Sequence, residues 1–127
     1  MTRDITLAAN LTDQERVFEQ AAELFAVLAT PIRLQILSAL CEQEKSVGEM
    51  LMEIETTQPN LSQHLAVLFK TGVLAKRKCG TQVIYRVQSQ KAVELCRSVC
   101  TQIAIEMAET DMLPPGQTLG LRAPELT

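Results

Sequence analysis

The chain has 127 residues and a formal net charge of −3, and 46% of its residues are hydrophobic. This length is typical of one domain and excludes a large two-domain enzyme. The chain has no Trp, one Tyr and three Phe, so its core must be aliphatic, and few aromatic side chains are available to stack on bases.

The first predicted helix begins at a capping box formed by Thr12 and Glu15, whose side-chain oxygens accept from free backbone amides. Before it, we expect residues 1–11 to form a flexible arm. A second helix begins after Thr30, because Thr is a good N-cap and Pro31 is tolerated in a first turn. It ends near Cys41. Spacings of three and four predict one buried face on the first helix: Val17, Ala21, Leu24, Phe25 and Leu28.

Ser46 and Glu49 form a second capping box, which opens a short helix. Thr57 caps the next helix, which carries leucines on one face and ends at Gly72. A turn at Glu55 and Thr56 separates the two. Two short helices joined in this way are the pattern of a helix-turn-helix.

After Gly72 the pattern changes to β-branched residues on either side of Cys79 and Gly80. This predicts a hairpin with strands at about residues 73–78 and 82–87. Ser89 then caps a last long helix with an apolar stripe. The stripe consists of Cys96, Val99, Cys100, Ile103 and Met107.

The predicted domain, residues 12–109, is mainly α (α+β): a winged helix-turn-helix with about five helices and a two-stranded β-hairpin. Two prolines follow the last helix, and we expect residues 110–127 to be a disordered tail. A monomer of this size covers the apolar stripes of the first and last helices poorly. The sequence therefore predicts a homodimer.

Charge is distributed unevenly along the chain. Residues 56–91 carry six basic residues and no Asp or Glu, whereas the rest of the chain carries all 15 acids and six bases, a net of −9. A basic segment in an acidic protein indicates a polyanion partner, and a solvated charged face is the plainer explanation. Because the basic segment coincides with the helix pair and the hairpin, we favour double-stranded DNA.

In a helix-turn-helix, the N-terminal residues of the second helix contact base edges in the major groove. Here these residues are Thr57, Gln58, Asn60, Ser62, Gln63 and His64, which can pair with bases or phosphates. We expect the hairpin to act as a wing that contributes affinity through phosphate contacts. The remaining candidate DNA-binding residues are Lys70, Lys76, Arg77, Lys78, Thr81, Gln82 and Arg86.

Four stretches form a combined pattern: residues 25–40 (FAVLATPIRLQILSAL), 45–50 (KSVGEM), 58–73 (QPNLSQHLAVLFKTGV) and 80–87 (GTQVIYRV). In these stretches the chain resembles the ArsR/SmtB family of bacterial winged-helix repressors. The resemblance implies a homodimer joined through the first and last helices, bound to an inverted-repeat operator. It also implies derepression by an inducer.

The metal ligands of metal-sensing members of that family are absent. Glu49-Met50-Leu51-Met52 stands where a Cys-x-Cys would fall, and the last helix has no His or Asp before Asp111. The only histidine, His64, lies in the recognition helix, where a DNA contact is the better interpretation. We therefore expect no cofactor and no metal site of these kinds.

No apolar run approaches the roughly 20 residues needed to cross a bilayer, and the N-terminus lacks the pattern of a signal peptide. We expect a cytoplasmic protein with no membrane partner, whose four cysteines are reduced thiols. Cys79 at the wing tip is either an activated thiol or a tolerated turn residue.

Cys96 and Cys100 share one helix face at a Cβ separation of about 6 Å, which is wide for a disulfide. A thiophilic ion such as As(III) could bridge them with Cys41 or a partner's cysteine as third ligand. Otherwise both thiols serve as small hydrophobes.

Family members that respond to reactive sulfur or oxidants pair a cysteine of the second helix with one of the last helix. The expected positions carry Ser38 and Ala104 here, but Cys41 and Cys100 are each displaced by about one turn in opposite senses. If the two helices pack roughly antiparallel, these opposite shifts keep the pair adjacent, which gives the hypothesis of a thiol switch based on Cys41 and Cys100. Cys96 is the third candidate sensing thiol.

Other functions stay open. An inducer-independent repressor fits the same residues, and a winged helix can also serve as a protein-interaction module. A cysteine enzyme using His64 is not supported, because the sequence shows neither a third orienting group nor an oxyanion element. We expect the chain not to be an enzyme.

Overall fold

The computed structural model describes the backbone of residues 5–111 and the side chains of residues 12–111. Five helices and three short strands make up this part of the chain. Their order is α1 (Ile5–Leu28), α2 (Pro31–Leu40), β1 (Lys45–Ser46), α3 (Val47–Leu51), α4 (Gln58–Lys70), β2 (Leu74–Cys79), β3 (Gln82–Val87) and α5 (Gln90–Asp111).

The predicted starts of α2 to α5 are confirmed by their caps. The Glu49 carboxylate completes a capping box by accepting from the Ser46 backbone amide at 2.8 Å. Gly72, which follows α4, has φ +86, a conformation that glycine adopts without strain. The side-chain oxygens of Thr30, Ser46, Thr57 and Ser89 accept from the backbone amides of Arg33, Glu49, Asn60 and Ala92 at 3.1, 3.1, 3.3 and 3.2 Å.

The first helix begins earlier than predicted. Since α1 already starts at Ile5, Thr12 lies inside it and the predicted capping box at Thr12 is wrong. Residues 5–11, expected as part of a flexible arm, contain neither Gly nor Pro that would stop a helix, and they are helical. The predicted boundary after residue 109 is also wrong by two residues, because α5 continues to Asp111. The rest of the predicted tail, residues 112–127, lies outside the described residues.

The wing is a hairpin of β2 and β3 whose register runs from Leu74 opposite Val87 to Cys79 opposite Gln82. A third strand was not predicted: β1 pairs antiparallel with β3, which gives the sheet order β1-β3-β2. Two residues are too few to show the alternation that marks a strand in a sequence. The pairing attaches the base of the wing to the start of α3.

The core is aliphatic, as predicted. α2 lies at its centre, because it packs against both α4 and α5. Side chains of α2, α3, α4 and β2 are completely buried there, and each contributes about 1.5–3 kcal/mol by leaving water. They are Ile36, Leu37, Met50, Leu61, Leu65, Leu68 and Leu74.

The apolar stripes of α1 and α5 are only partly covered within one protomer. On α1, Leu28 is buried, but Val17 and Phe25 are 63% and 57% exposed. On α5, Cys96 is buried, whereas Ile103 and Met107 are 44% and 57% exposed. Within one protomer, the predicted apolar face of α1 is therefore covered only in part, with Leu28 in the core and Leu24 packed against it.

Within the described residues, no single helix is long and apolar enough to cross a membrane. α1 and α2 meet the length and composition test only jointly, across a bend of 91°.

Candidate nucleic-acid interface and thiol cavity

α4 buries its leucines and turns its polar residues outward. Leu61, Leu65 and Leu68 are fully buried and fix the orientation of the helix on the core. Of the predicted base-reading residues, His64 alone is half-buried and the others are exposed. The exposed ones are Thr57, Gln58, Asn60, Ser62 and Gln63.

Two of these polar side chains also have structural partners. The Thr57 hydroxyl accepts from the Asn60 amide as the N-cap of α4, at 3.3 Å. The Asn60 side-chain amide donates to the Thr56 hydroxyl at 2.9 Å. These bonds order the first turn of α4. They still leave the side-chain oxygen of Asn60 and the side-chain amide of Gln63 without a partner among the described residues. The N-terminal turn of α4 thus presents donors and acceptors on ordered backbone.

The wing carries the cations that the sequence indicated. Lys76 lies over the Phe69 ring, 4.4 Å from its centroid, so a cation–π contact joins β2 to the last turn of α4. Lys70, Lys76, Arg77, Lys78, Thr81, Gln82 and Arg86 are all exposed.

Arg77 differs from the other wing cations because it has an ion-pair partner. Its Nη2 lies 2.6 Å from Oε2 of Glu44, in the segment before β1. The hydrogen bond from Arg77 lowers the pKa of the Glu44 carboxyl, and the same pair raises the pKa of Arg77. Exposed pairs of this kind contribute little to stability. Glu44 does, however, offset one positive charge of the wing.

Three cysteines line one cavity of about 180 Å³ between α2 and α5. Cys41, Cys96 and Cys100 share it with Leu37, Val93 and Arg97. The sulfurs of Cys96 and Cys100 are 3.9 Å apart. The Cys41 thiol donates to the Ser38 carbonyl at 3.2 Å. All four cysteines are free thiols, and Cys79 is separate and exposed on the wing.

The three thiols of the cavity differ in exposure. Cys96 is buried, Cys41 is half-buried and Cys100 is exposed. Burial, together with the neighbouring Cys100 and Cys41, raises the pKa of Cys96 to about 11. Because the thiolate is the nucleophile, both burial and the raised pKa disfavour reaction at Cys96. Within the described part of the chain, no group of three His, Cys, Asp or Glu side chains is placed to hold a metal ion.

Comparison with known proteins places the chain in a family. The family model for "Bacterial regulatory protein, arsR family" matches residues 30–76. A biofilm growth-associated repressor of Xylella fastidiosa is 37% identical over 94 residues, which cover 71% of this chain and 82% of that protein. The chain belongs to the ArsR family. It is a DNA-binding transcriptional regulator with a winged helix-turn-helix fold.

Other ArsR-family relatives show the same fold. The transcriptional activator HlyU of Vibrio cholerae is 40% identical over 80 residues, covering 63% of this chain and 74% of that one. A structure described as reduced HlyU from that organism has a TM-score of 0.64 at 36% identity, covering 68% and 95% of the two chains. The homodimeric winged helix-turn-helix DNA-binding domain of Mb0332 from Mycobacterium bovis has a TM-score of 0.62 at 25% identity, covering 80% and 93%.

Some residues of this ArsR-family site could not be found from the sequence. Arg33 donates from Nε to Nδ1 of His64 at 3.0 Å, although the two residues are 31 positions apart. The contacts of Glu44 with Arg77 and of Phe69 with Lys76 were not predicted either, because tertiary packing decides which residues of the wing they meet. A hydrophobic or charge pattern carries no signal for such pairs.

Proposed function

We propose that the chain is a homodimeric repressor that binds an inverted-repeat operator and is released when Cys41 and Cys100 react with reactive sulfur species or oxidants. The observation that carries the DNA-binding part is the surface made by α4 and the wing. There, capped and exposed polar residues stand beside exposed cations, with one contact joining the two elements at Lys76 and Phe69.

The dimer part rests on uncovered apolar surface. Among the side chains that the structure describes, three large exposed hydrophobic residues lie on α1 and four on α5. Such stripes are favourable only when another surface covers them. A two-fold axis through α1 and α5 would place two copies of α4 on half-sites of opposite orientation, which is why the operator is expected to be an inverted repeat. The Mycobacterium bovis relative is homodimeric, which supports a dimer for this chain.

A matched pair of substitutions tests the dimer. Ile103→Glu places a charge on the stripe of α5 and is expected to yield monomers by light scattering. Met52→Glu is the control, because Met52 is 86% exposed but lies outside α1 and α5. If both variants stay dimeric, the stripes of α1 and α5 do not form the interface.

The sensing part rests on the thiol cavity. Cys41 and Cys100 are the more accessible of its three thiols, and Cys96 is held neutral by burial. Hydrogen peroxide would convert two thiols to a disulfide and two waters. A persulfide formed on one thiol would give the same disulfide when the second thiol attacks it, with release of hydrogen sulfide.

A chemical change at the cavity thiols would act on α4 through one helix, α2. α2 forms one wall of the cavity and packs directly on α4. A bond between Cys41 and Cys100 would pull the end of α2 towards α5 and shift the support of α4. The relative that was described in its reduced form is consistent with a redox-dependent state.

An As(III) sensor is the weaker alternative. Such an ion would bind two or three of the cavity thiols as thiolates, and the raised pKa of Cys96 disfavours a site that includes it.

The test is a gel-shift titration of the full chain on the DNA upstream of its own gene. Reduced protein is expected to bind, and polysulfide or peroxide is expected to release it. Cys100→Ser should abolish release, whereas Cys79→Ser is the matched control and should respond like the wild type. Release by As(III) alone would favour the alternative, and no release by any agent would indicate an inducer-independent repressor.

A further inference from the structure

We propose that Arg33 is a positioning residue that fixes the ring of His64 in one tautomer, so that the recognition helix offers a hydrogen-bond donor at Nε2 to DNA. This inference rests on the proposed DNA-binding role of α4. It adds a residue from α2, outside the predicted interface, to the determinants of sequence preference.

The geometry begins with the two hydrogen bonds of Arg33. Its Nε donates to Nδ1 of His64 at 3.0 Å, and its Nη1 donates to the Val27 carbonyl at 2.9 Å. Both nitrogens belong to one rigid guanidinium plane, so the two bonds together fix its orientation. Arg33 itself is half-buried on α2. The guanidinium therefore spans from α1 to the recognition helix.

The Val27 carbonyl is a suitable anchor. It lies in the last turn of α1, where backbone carbonyls lack donors from the helix itself. A cation at a helix C-terminus is also favoured by the helix dipole. Arg33 is thus held from the side of α1 independently of His64, and it presents Nε to the histidine as a fixed donor.

The hydrogen bond from Arg33 to His64 decides which nitrogen of the ring carries the proton. An arginine only donates, so Nδ1 must be an acceptor, and the single proton of the neutral imidazole then stays on Nε2. Nε2 has no hydrogen-bond partner in residues 12–111. His64 lies next to the buried Leu65, so its backbone is also fixed. The free group is a donor in a known tautomer on an ordered helix.

A donor distinguishes among DNA atoms. In the major groove, N7 and O6 of guanine, O4 of thymine and N7 of adenine are acceptors, whereas the exocyclic amines of cytosine and adenine are donors. A histidine free to change tautomer could match either kind of group. By excluding the form that accepts at Nε2, Arg33 would restrict His64 to acceptors such as O6, N7 or O4 and would increase sequence preference.

The chain has only one histidine, so the first experiment can assign the ring signals without a further substitution. Long-range proton–nitrogen NMR correlation at mildly alkaline pH reports the tautomer of that ring directly. The proposal expects the form protonated at Nε2 in the wild type. It expects a mixture of both forms in Arg33→Met, which keeps the apolar length but has no donors. A wild-type ring protonated at Nδ1 would overturn the proposal.

The second experiment is a double-mutant cycle of DNA affinity on the upstream fragment, with a scrambled duplex alongside. His64→Ala and Arg33→Met should each weaken specific binding about tenfold, and the double variant should lose no more than either alone. Losses that multiply to about a hundredfold would show that Arg33 does not act through His64.

Arg33→Lys and Arg16→Met complete the set. Lysine keeps the charge but cannot donate to both His64 and the Val27 carbonyl in the geometry of the guanidinium. The Arg33→Lys protein should therefore lose its preference for the operator while binding scrambled DNA normally. Arg16→Met removes an exposed cation from α1 and should bind like the wild type. A salt slope reduced by about one in Arg33→Met would reassign Arg33 to a phosphate contact. If the wild type shows no preference for the upstream fragment, the proposed function fails, and the NMR result still decides the Arg33–His64 pair.

Discussion

Alkylation by iodoacetamide is expected to separate the four cysteines, with Cys96 the slowest. The pKa of Cys96 is raised from 9.0 to about 11, chiefly by burial. Each pKa unit changes the thiolate fraction tenfold, so near neutral pH Cys96 should hold about a hundredfold less thiolate than an ordinary cysteine. Since the thiolate reacts, alkylation of Cys96 should be slower than that of an ordinary cysteine, and the greater nucleophilicity of a more basic thiolate offsets part of this difference. The rate should also keep rising with pH up to about 11.

The assay is mass spectrometry of peptides from the native chain after timed alkylation at several pH values. Cys79, which is exposed on the wing, is the internal reference. Protein unfolded in urea gives the alkylation rate of each cysteine in the absence of folded structure. A native Cys96 that is alkylated as fast as Cys79 would refute the burial argument. It would also remove the reason for choosing Cys41 and Cys100 as the reacting pair.

Three further predictions concern stability and charge. Gly72→Ala should cost about 1–2 kcal/mol in urea unfolding, because φ is +86, whereas Gly48→Ala, whose new Cβ meets only ordinary contact at 3.9 Å, should not destabilise. A loss in both would contradict the conformational argument. Because the pKa of Cys96 is raised from 9.0 to about 11, the folded state keeps a stability that is fully present below pH 9.0 and is lost as the pH rises through about 11. Thermal unfolding at alkaline pH should show this loss of stability in the wild type, and Cys96→Ala should not show it. Glu44→Gln frees Arg77 and should steepen the salt dependence of DNA binding by about one phosphate contact, while the exposed Glu42→Gln should not. Equal slopes would place Arg77 away from DNA.

The sequence alone was sufficient to predict the order of the helices after α1 and the hairpin. The cap residues Ser46 and Thr57 and the stop at Gly72 act within a few positions along the chain, so their signal is local. The leucine spacing of α4 also determined which of its faces is exposed. The acid-free segment indicated the polyanion surface without any coordinates.

Only the tertiary structure decided which distant residues meet. Arg33 reaches His64 across 31 positions and Arg77 reaches Glu44 across 33, and neither pair has a sequence signature. The same packing of α2 on α5 brings Cys41 into one cavity with Cys96 and Cys100. The helical spacing of α1 predicted a buried face, but burial depends on what lies opposite. Local spacing sets the face of a helix, and the packing of the whole chain sets what that face meets.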